Sequence, residues 1–405
     1  MAIDLTPVPG EPGLRWRSRV RDLPGIEREL ARIWAGTNLT TVVDGQEERR
    51  VGARTSVMNL VVIARQPEVG ERCAAVVTAL TGRHPSRTLI IATVDPDGPP
   101  RLEADVQAYC MLPREGSPET CSERIDVLAG GETGRHLAAI VAPLLIHDLP
   151  VTTWWPGDVP LDSPMVEEVL ALSDRIVVDG YNWSGTGLER LPGLLALVED
   201  PDLAVSDFAQ IRQSRWREAI ASAFDQPDIQ PFLHGLRRVT VTYATGDEGG
   251  GRPGGANLVR PLYHLAWLTS RLGLAIEAPL APAPGTTTDD GLMGTIRRGR
   301  MRVQVALRPE VTQARRGATL RVEIEAQRRH NRLRVLITGE SETILVEAWL
   351  DGRLVRRRPF AAPRRTDVDM LAEVIESIGQ DRLSAGVIRT AVALVGGHGG
   401  GEGTR

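Results

Sequence analysis

"SVMNLVVIARQPEVGERCAAVVTALTGRHPSRTLIIATV", residues 56 to 94, decides the fold. Its opening, "SVMNLVVIA", is a short apolar run of strand length. "EVGERCAAVVTALTG" then changes period. Val69, Cys73, Val76 and Leu80 fall on one helical stripe, and Gly82 closes the helix. "RTLIIATV" returns to a buried strand. The same alternation continues downstream. "ADVQAYCML" and "ERIDVLA" read as strands, "TGRHLAAIVAPLLIH" as a helix and "LPVTTWW" as a strand. "PMVEEVLAL" reads as a short helix and "DRIVVD" as a strand. The pattern predicts an α/β domain with a mixed sheet over residues 45–182.

Upstream, residues 1–44 form a helical N-terminal segment. In "LPGIERELARIWAG" the helix is capped by Asp22, carries Pro24 in its first turn and stops at Gly36. Downstream, residues 183–395 predict an α+β domain. "GLERLPGLLALVED", "DFAQIRQSRWREAIASAFD" and "NLVRPLYHLAWLTSRLG" are helical, and "LRRVTVTY" is a strand. Strands of period two follow, and their polar positions are arginine and glutamate: Arg300, Arg302, Arg321, Glu323, Glu325, Arg332 and Arg334. Asp351-Gly352 signals a hairpin. The expectation is an antiparallel Arg-rich sheet with one apolar face, closed by helices near 367–379 and 381–395. Residues 396–405 form a disordered, glycine-rich tail.

Composition narrows the function. The 405 residues are 42% hydrophobic and 25% charged, as in soluble globular proteins. No apolar run reaches membrane-spanning length, and the first residues lack a signal-peptide core, so a cytoplasmic location and no membrane partner are expected. The chain has no lysine, which excludes Schiff-base chemistry and a Walker A loop. Cys73, Cys110 and Cys121 stand in no metal or redox spacing and are expected to be buried thiols. The metalloprotease, hydrolase and kinase signatures are missing, and the seven histidines do not cluster. Net charge is −4, yet residues 296–365 carry 18 Arg against 7 acids, which suits an anionic partner.

Three features could hold anions. Arg83, His84 and Arg87 surround a turn in "GRHPSRTL"; a satisfied loop histidine explains it equally. Gly130, Gly131 and Gly134 lie between a strand and a helix, where free amides can bind phosphate or simply make the turn. "GGGRPG", residues 249–254, spells a dinucleotide fingerprint with Glu277 at ribose-binding distance. Its connection, from Ala244 to Ala256, is too long for the tight turn that fingerprint needs, so a flexible loop is expected. The arginine face could meet nucleic acid, an acidic protein surface or only solvent. Few aromatics are interleaved with it.

Trp154 and Trp155 end a strand, and neighbours on a strand face opposite sides. One indole is therefore expected to face something other than its own core. "HDLPVTTWWPGDVP", "SDRIVVDGYNW" and "DFAQIRQSRWREAIASAFD" together resemble the ordered signatures of the glucose-6-phosphate dehydrogenase assembly protein family. "GRHPSRTLII" resembles that family's His-Pro-Ser-Arg turn. The chain departs from the pattern at Gln210, Gln213 and Arg215. The resemblance implies a non-catalytic factor that binds glucose-6-phosphate dehydrogenase, promotes its active oligomer and needs no cofactor. It points to Trp154, Trp155, Arg175, Asp179, Arg212, Trp216 and Arg217 as partner-binding residues. Helical periodicity puts Trp216 in the core, with Arg212 and Arg217 outward. The alternatives are an enzyme holding a nucleotide or sugar phosphate on a glycine-rich loop, and a nucleic-acid binder using the arginine face.

Overall fold

The computed structural model describes residues 12–35, 39–43, 46–50, 53–54, 56–111, 120–247 and 253–397. In chain order, β1 (Pro12–Val20) leads into α1 (Leu23–Ala35). β2 (Leu39–Val43) and β3 (Gln46–Arg50) pair as a separate two-stranded sheet. Next come β4 (Ala53–Arg54), β5 (Met58–Arg65), α2 (Pro67–Leu80) and β6 (Ser86–Val94). β7 (Arg101–Met111), β8 (Thr120–Gly130), α3 (Gly131–Arg135) and α4 (Leu137–Val141) follow. Then come β9 (Val151–Trp155), α5 (Pro164–Leu170), β10 (Arg175–Val178), α6 (Leu191–Glu199) and β11 (Ala204–Asp207). α7 (Phe208–Ile211), α8 (Ser214–Phe224), β12 (Leu236–Thr245) and α9 (Val259–Arg271) lead to a run of strands. These are β13 (Ala275–Ala281), β14 (Leu292–Arg298), β15 (Met301–Val311) and β16 (Thr319–Arg328), then β17 (Asn331–Gly339), β18 (Thr343–Leu350) and β19 (Arg353–Ala361). α10 (Asp367–Glu376) and α11 (Arg382–Leu394) close the chain.

The chain divides into two compact units. The first takes residues 1–178, 202–206 and 366–379; the second takes 179–201, 207–365 and 380–405. Segments 202–206 and 366–379 thus join the first unit, although the sequence expectation put them in the α+β domain.

The first unit is built on a mixed nine-stranded sheet in the order β1-β7-β8-β6-β5-β9-β10-β11, with β4 beside β8. β8, β6, β5, β9 and β10 run parallel, and β7 is antiparallel to β1 and β8. Every residue of β9 and β10, and all of β5 but Arg65, is buried. Burial on both faces is what a parallel sheet covered by helices requires, and the polar residues in these strands, Asn59, Thr152, Thr153 and Arg175, are buried with the rest. Read in chain order, β8-β6-β5-β9-β10-β11 is the 3-2-1-4-5-6 arrangement of a doubly wound nucleotide-binding sheet. α10 packs on α2 and buries Met370, Leu371 and Val374. Thr366 and Asp369 cap it reciprocally in a capping box.

The N-terminal segment is not only helical. β1 pairs with β7, and Arg17 and Arg19 hold Asp105 at 2.8 and 2.9 Å. The helix predicted from 133 onward breaks at His136, and Pro143 sits in a 3₁₀ turn, so it runs as short pieces. Cys73 is a buried thiol, its pKa raised to about 12 by burial and by nearby Asp367. Cys110 and Cys121 are not thiols. They stand directly opposite across the β7–β8 ladder, with Cα atoms 4.1 Å apart, and form a disulfide.

The second unit is an eight-stranded sheet in the order β13-β14-β15-β12-β16-β17-β18-β19. It is mixed rather than wholly antiparallel, because β12 runs parallel to β15. β12 enters from a helical region, so it is inserted between strands that are far from it in sequence. Val303, Val305, Val322, Ile324, Val335, Ile337 and Val346 are buried, and their alternating neighbours are partly or fully exposed. α9 lies on β12 and β15 and is buried nearly all round, and α11 packs on α9 and α6. Residues 398–405 of the expected tail lie outside the described residues.

Candidate functional site

The paired tryptophans end β9 at the place where strand order reverses, between β5 and β9. In such sheets, ligands bind in the crevice at that point. Trp154 is 1% exposed and Trp155 is fully buried. The expectation of an available indole is not met. The two rings do face opposite sides, but β9 is a central strand and both sides are covered. The Trp155 indole N–H donates to the carbonyl of Asp158 at 3.0 Å, in the chain just after the strand.

Beside them, the turn from β5 into α2 is where a doubly wound fold carries its phosphate-binding glycines. Here it reads Arg65-Gln66-Pro67-Glu68-Val69-Gly70. Pro67 has no amide hydrogen to offer. Glu68 places a carboxylate in the first turn, where a helix N-terminus would otherwise attract an anion. Arg65 adopts φ 55°, a left-handed conformation that fixes the bend without glycine.

Arg175, at the start of β10, is 9% exposed. Its guanidinium donates to the Ser377 hydroxyl at 2.9 Å and the Ser377 carbonyl at 2.8 Å, and at 3.3 Å to the Gly379 carbonyl. These carbonyls follow the end of α10, so a buried cation ties that helix end to the sheet. Burial depresses its pKa.

In the second unit the remaining signature residues meet. Asp179 follows β10 and is 2% exposed. Arg212 holds one of its oxygens at 2.6 Å, and the Asn182 amide donates to the other at 2.6 Å. Arg212 is therefore turned inward, against the expectation from periodicity, because a buried carboxylate requires a counter-charge. Asp207 accepts from the backbone N–H groups of Gly180 at 3.0 Å and Ala209 at 2.8 Å. It also accepts from the Tyr263 hydroxyl at 2.8 Å. Gly180 must lack a side chain here: a Cβ would sit 2.9 Å from both Asp207 and Val259. Trp216 is buried and meets the His264 ring at 5.3 Å. Burial first, then Arg260 and Arg217, keep His264 well below its ordinary pKa. Arg217 is half-buried and donates to the Gln210 carbonyl. Gln210 is itself buried, with its amide on the Ser384 carbonyl.

Burial and the Asp179 charge raise the Asp207 pKa from 3.8 to about 6. A raised folded-state pKa means the native state holds the proton more tightly. The resulting stability is complete below the unfolded-state pKa and is lost as pH rises through about 6. Wild type is thus expected to lose about 3 kcal/mol relative to Asp207→Asn between about pH 4 and pH 7. Urea unfolding of both proteins across that range measures it; parallel profiles would refute it.

The expected anion sites are occupied from within. Arg87 is buried against Glu123 at 2.5 Å and donates to the Leu144 carbonyl. Arg83 and His84 both meet Glu376, at 2.6 and 3.2 Å. The Gly131 amide donates to the Asp95 carbonyl, and a Cβ at Gly131 would strike the backbone of Gly98 and Pro99. Gly130 and Gly134 are less crowded, a Cβ there standing 3.1 Å from the Val94 carbonyl and 3.3 Å from the Ala129 carbonyl, so Gly131 is the position that the tight turn requires to be glycine. Residues 249–252 of the second glycine loop lie outside the described residues. Glu277, its proposed ribose ligand, is ion-paired with Arg302. On the arginine face, Arg334 pairs with Glu323, Arg321 with Glu310 and Arg357 with Glu347. Sequence reading missed Asn257, Tyr263 and Arg260. Their only signal was polar residues in a helical stretch that is otherwise apolar.

Two family models match, described as the N-terminal and C-terminal domains of a glucose-6-phosphate dehydrogenase subunit, over residues 50–191 and 203–387. The OxPP cycle protein OpcA of Nostoc punctiforme is 27% identical over 174 residues. The match takes in 42% of this chain and 34% of that protein, so the chain spans about a third of that relative's length. Among solved structures, the oxidoreductase yvaA of Bacillus subtilis is 10% identical with a TM-score of 0.45, over 84% of this chain and 96% of its own. Levoglucosan dehydrogenase with NADH and levoglucosan is 12% identical, also at 0.45, over 84% and 97%. Likeness that loose carries no chemistry. Because the two domain models together take in most of the sequence, the chain belongs to the glucose-6-phosphate dehydrogenase assembly protein family.

Proposed function

We propose that this protein binds glucose-6-phosphate dehydrogenase and favours its active assembly without catalysing a reaction itself. Family membership over both domains supports the partner. The observation that carries the non-catalytic part is the β5–α2 turn. There a doubly wound sheet has Pro67 and Glu68 in place of phosphate-binding glycines. The signature residues Trp154, Trp155, Arg175, Asp179, Arg212, Trp216 and Arg217 act through shape. They brace strand ends and loops, and the surface those elements present makes the contact.

Activation requires tighter binding to the active assembly of the dehydrogenase than to the inactive one. A coupling of about 1–3 kcal/mol gives roughly 5- to 150-fold activation. The test titrates this protein into the dehydrogenase of the same organism while particle mass and turnover are recorded together. Both should rise to saturation at one ratio. Unchanged mass and turnover, or turnover of a metabolite by this protein alone, would sink the reading.

A further inference from the structure

The second unit contains a concave pocket of about 450 Å³, within the size range of small-molecule sites. Tyr181, Trp183, Thr186, Asn257, Arg315 and Arg316 line it. Its base is rigid. Asn257 donates to the carbonyls of Gly180 and Trp183 at 2.8 and 3.1 Å, and Thr186 and Leu258 share a backbone bond. Tyr181 and Trp183 are buried.

The rim is as firmly placed. Arg315 and Arg316 stand on the turn between β15 and β16. That turn is fastened to β12 by Thr312 N–H to the Thr245 carbonyl at 3.1 Å and Gly317 N–H to the Ala244 carbonyl at 2.8 Å. Gly317, at φ 78°, lies so close to Asn257 that a Cβ would stand 2.4 Å from its carbonyl. The Arg315 guanidinium lies 4.1 Å from the Tyr181 ring centre and donates to the Asn182 side-chain oxygen. Arg260 lies against the same ring at 4.9 Å. The Arg316 guanidinium packs on Gly246 and reaches the Gly255 carbonyl at 3.5 Å.

The pocket rim is cationic. On the sheet face, Arg302, Arg321, Arg334 and Arg357 each meet a glutamate. Among the described residues, neither Arg315 nor Arg316 has a carboxylate partner. The nearby Glu189 is engaged by Thr186 and Arg190, and Asp289 lies beside Gly255. Two guanidiniums from neighbouring residues at the rim of a hollow match a phosphate group carried on a small organic skeleton. We infer that this pocket binds a small phosphate monoester, with Arg315 and Arg316 on the phosphate and the accessible wall at Gly185, Thr186 and Gly255 against the carbon skeleton.

The test uses the full chain without the dehydrogenase, so its outcome is separate from that of the assembly experiment. Thermal unfolding is followed in a hexose phosphate, the parent hexose and inorganic phosphate, at matched ionic strength. The hexose phosphate should raise the melting temperature in a saturable way and the hexose should not. Arg315→Ser/Arg316→Ser should weaken that binding at least tenfold. The variant also gives up the Arg315 contacts with Tyr181 and Asn182, so each ligand shift is read against that variant's own ligand-free melting temperature. Gly255→Asp should weaken it too. It leaves both arginines in place and adds a carboxylate at the mouth, where a Cβ meets nothing closer than 3.9 Å. No shift in wild type, or equal shifts in wild type and both variants, would overturn the proposal. So would inorganic phosphate acting as strongly as the ester, which would mark an adventitious ion only.

Discussion

Trp155→Ala is expected to lower the stability of the first unit by about 3–5 kcal/mol, the cost of removing a large aromatic from a packed interior. The melting temperature should fall by roughly 6–20 °C in a unit of this size. The ring is fully buried on a strand flanked on both sides by parallel neighbours, so the space it leaves cannot collapse easily. Trp155→Phe keeps most of the volume and loses the hydrogen bond to the Asp158 carbonyl, for about 1 kcal/mol. Calorimetry on both variants, with dehydrogenase binding measured at a temperature where each is folded, separates two roles. A packing residue loses stability first and binding only with it. An indole that itself touched the partner would give normal melting and a lost complex, and that pattern would refute the burial argument.

Arg212→Ala should have a similar effect on the second unit, again about 3–5 kcal/mol, because it strips a buried carboxylate of its guanidinium. Asp179 is also what helps raise the Asp207 pKa, so the loss should grow as pH rises and both carboxyls ionise. The double variant Arg212→Ala/Asp179→Ala should be less damaged than the sum of the two single changes, with a coupling of about 1–3 kcal/mol. Urea unfolding of the four proteins measures this directly. Additive losses would mean the 2.6 Å contact contributes little beyond what water would supply.

How much of this was readable in advance depended on the range of each interaction. β5, β6, β9 and β10 declared themselves, since strands buried on both faces read as short, mainly apolar or β-branched runs. α2 was placed as well, but its buried stripe is Gly70, Cys73, Val77 and Leu80, and Val69 and Val76 of the expected stripe are only half-buried. β1 was legible but went unread: Leu14, Trp16, Ser18 and Val20 alternate with arginines, the period-two pattern of a half-buried strand. Strand order could not be read, because hydrogen-bond partners leave no local pattern; the insertion of β12 between β15 and β16 is one case. At the site, motif order picked out Asp179, Arg212 and Trp216 but not their surroundings. Alternation tells which way a side chain points and not whether another layer covers it, so Trp154 and Trp155 were separated correctly and then wrongly left one in the open. Tyr263 meets Asp207 across 56 positions, a distance no window along the chain can bridge.

The segment 366–379 has a consequence for how the molecule is made. α10 rests on α2, nearly 300 residues earlier, and belongs to the first unit. A ribosome working from the amino end therefore releases most of the second unit, residues 179–201 and 207–365, before the first can be finished, and the last piece of the second, 380–405, only afterwards. Until then Cys73 and its neighbours on α2 lack their cover, and neither half can be expressed by cutting the gene once.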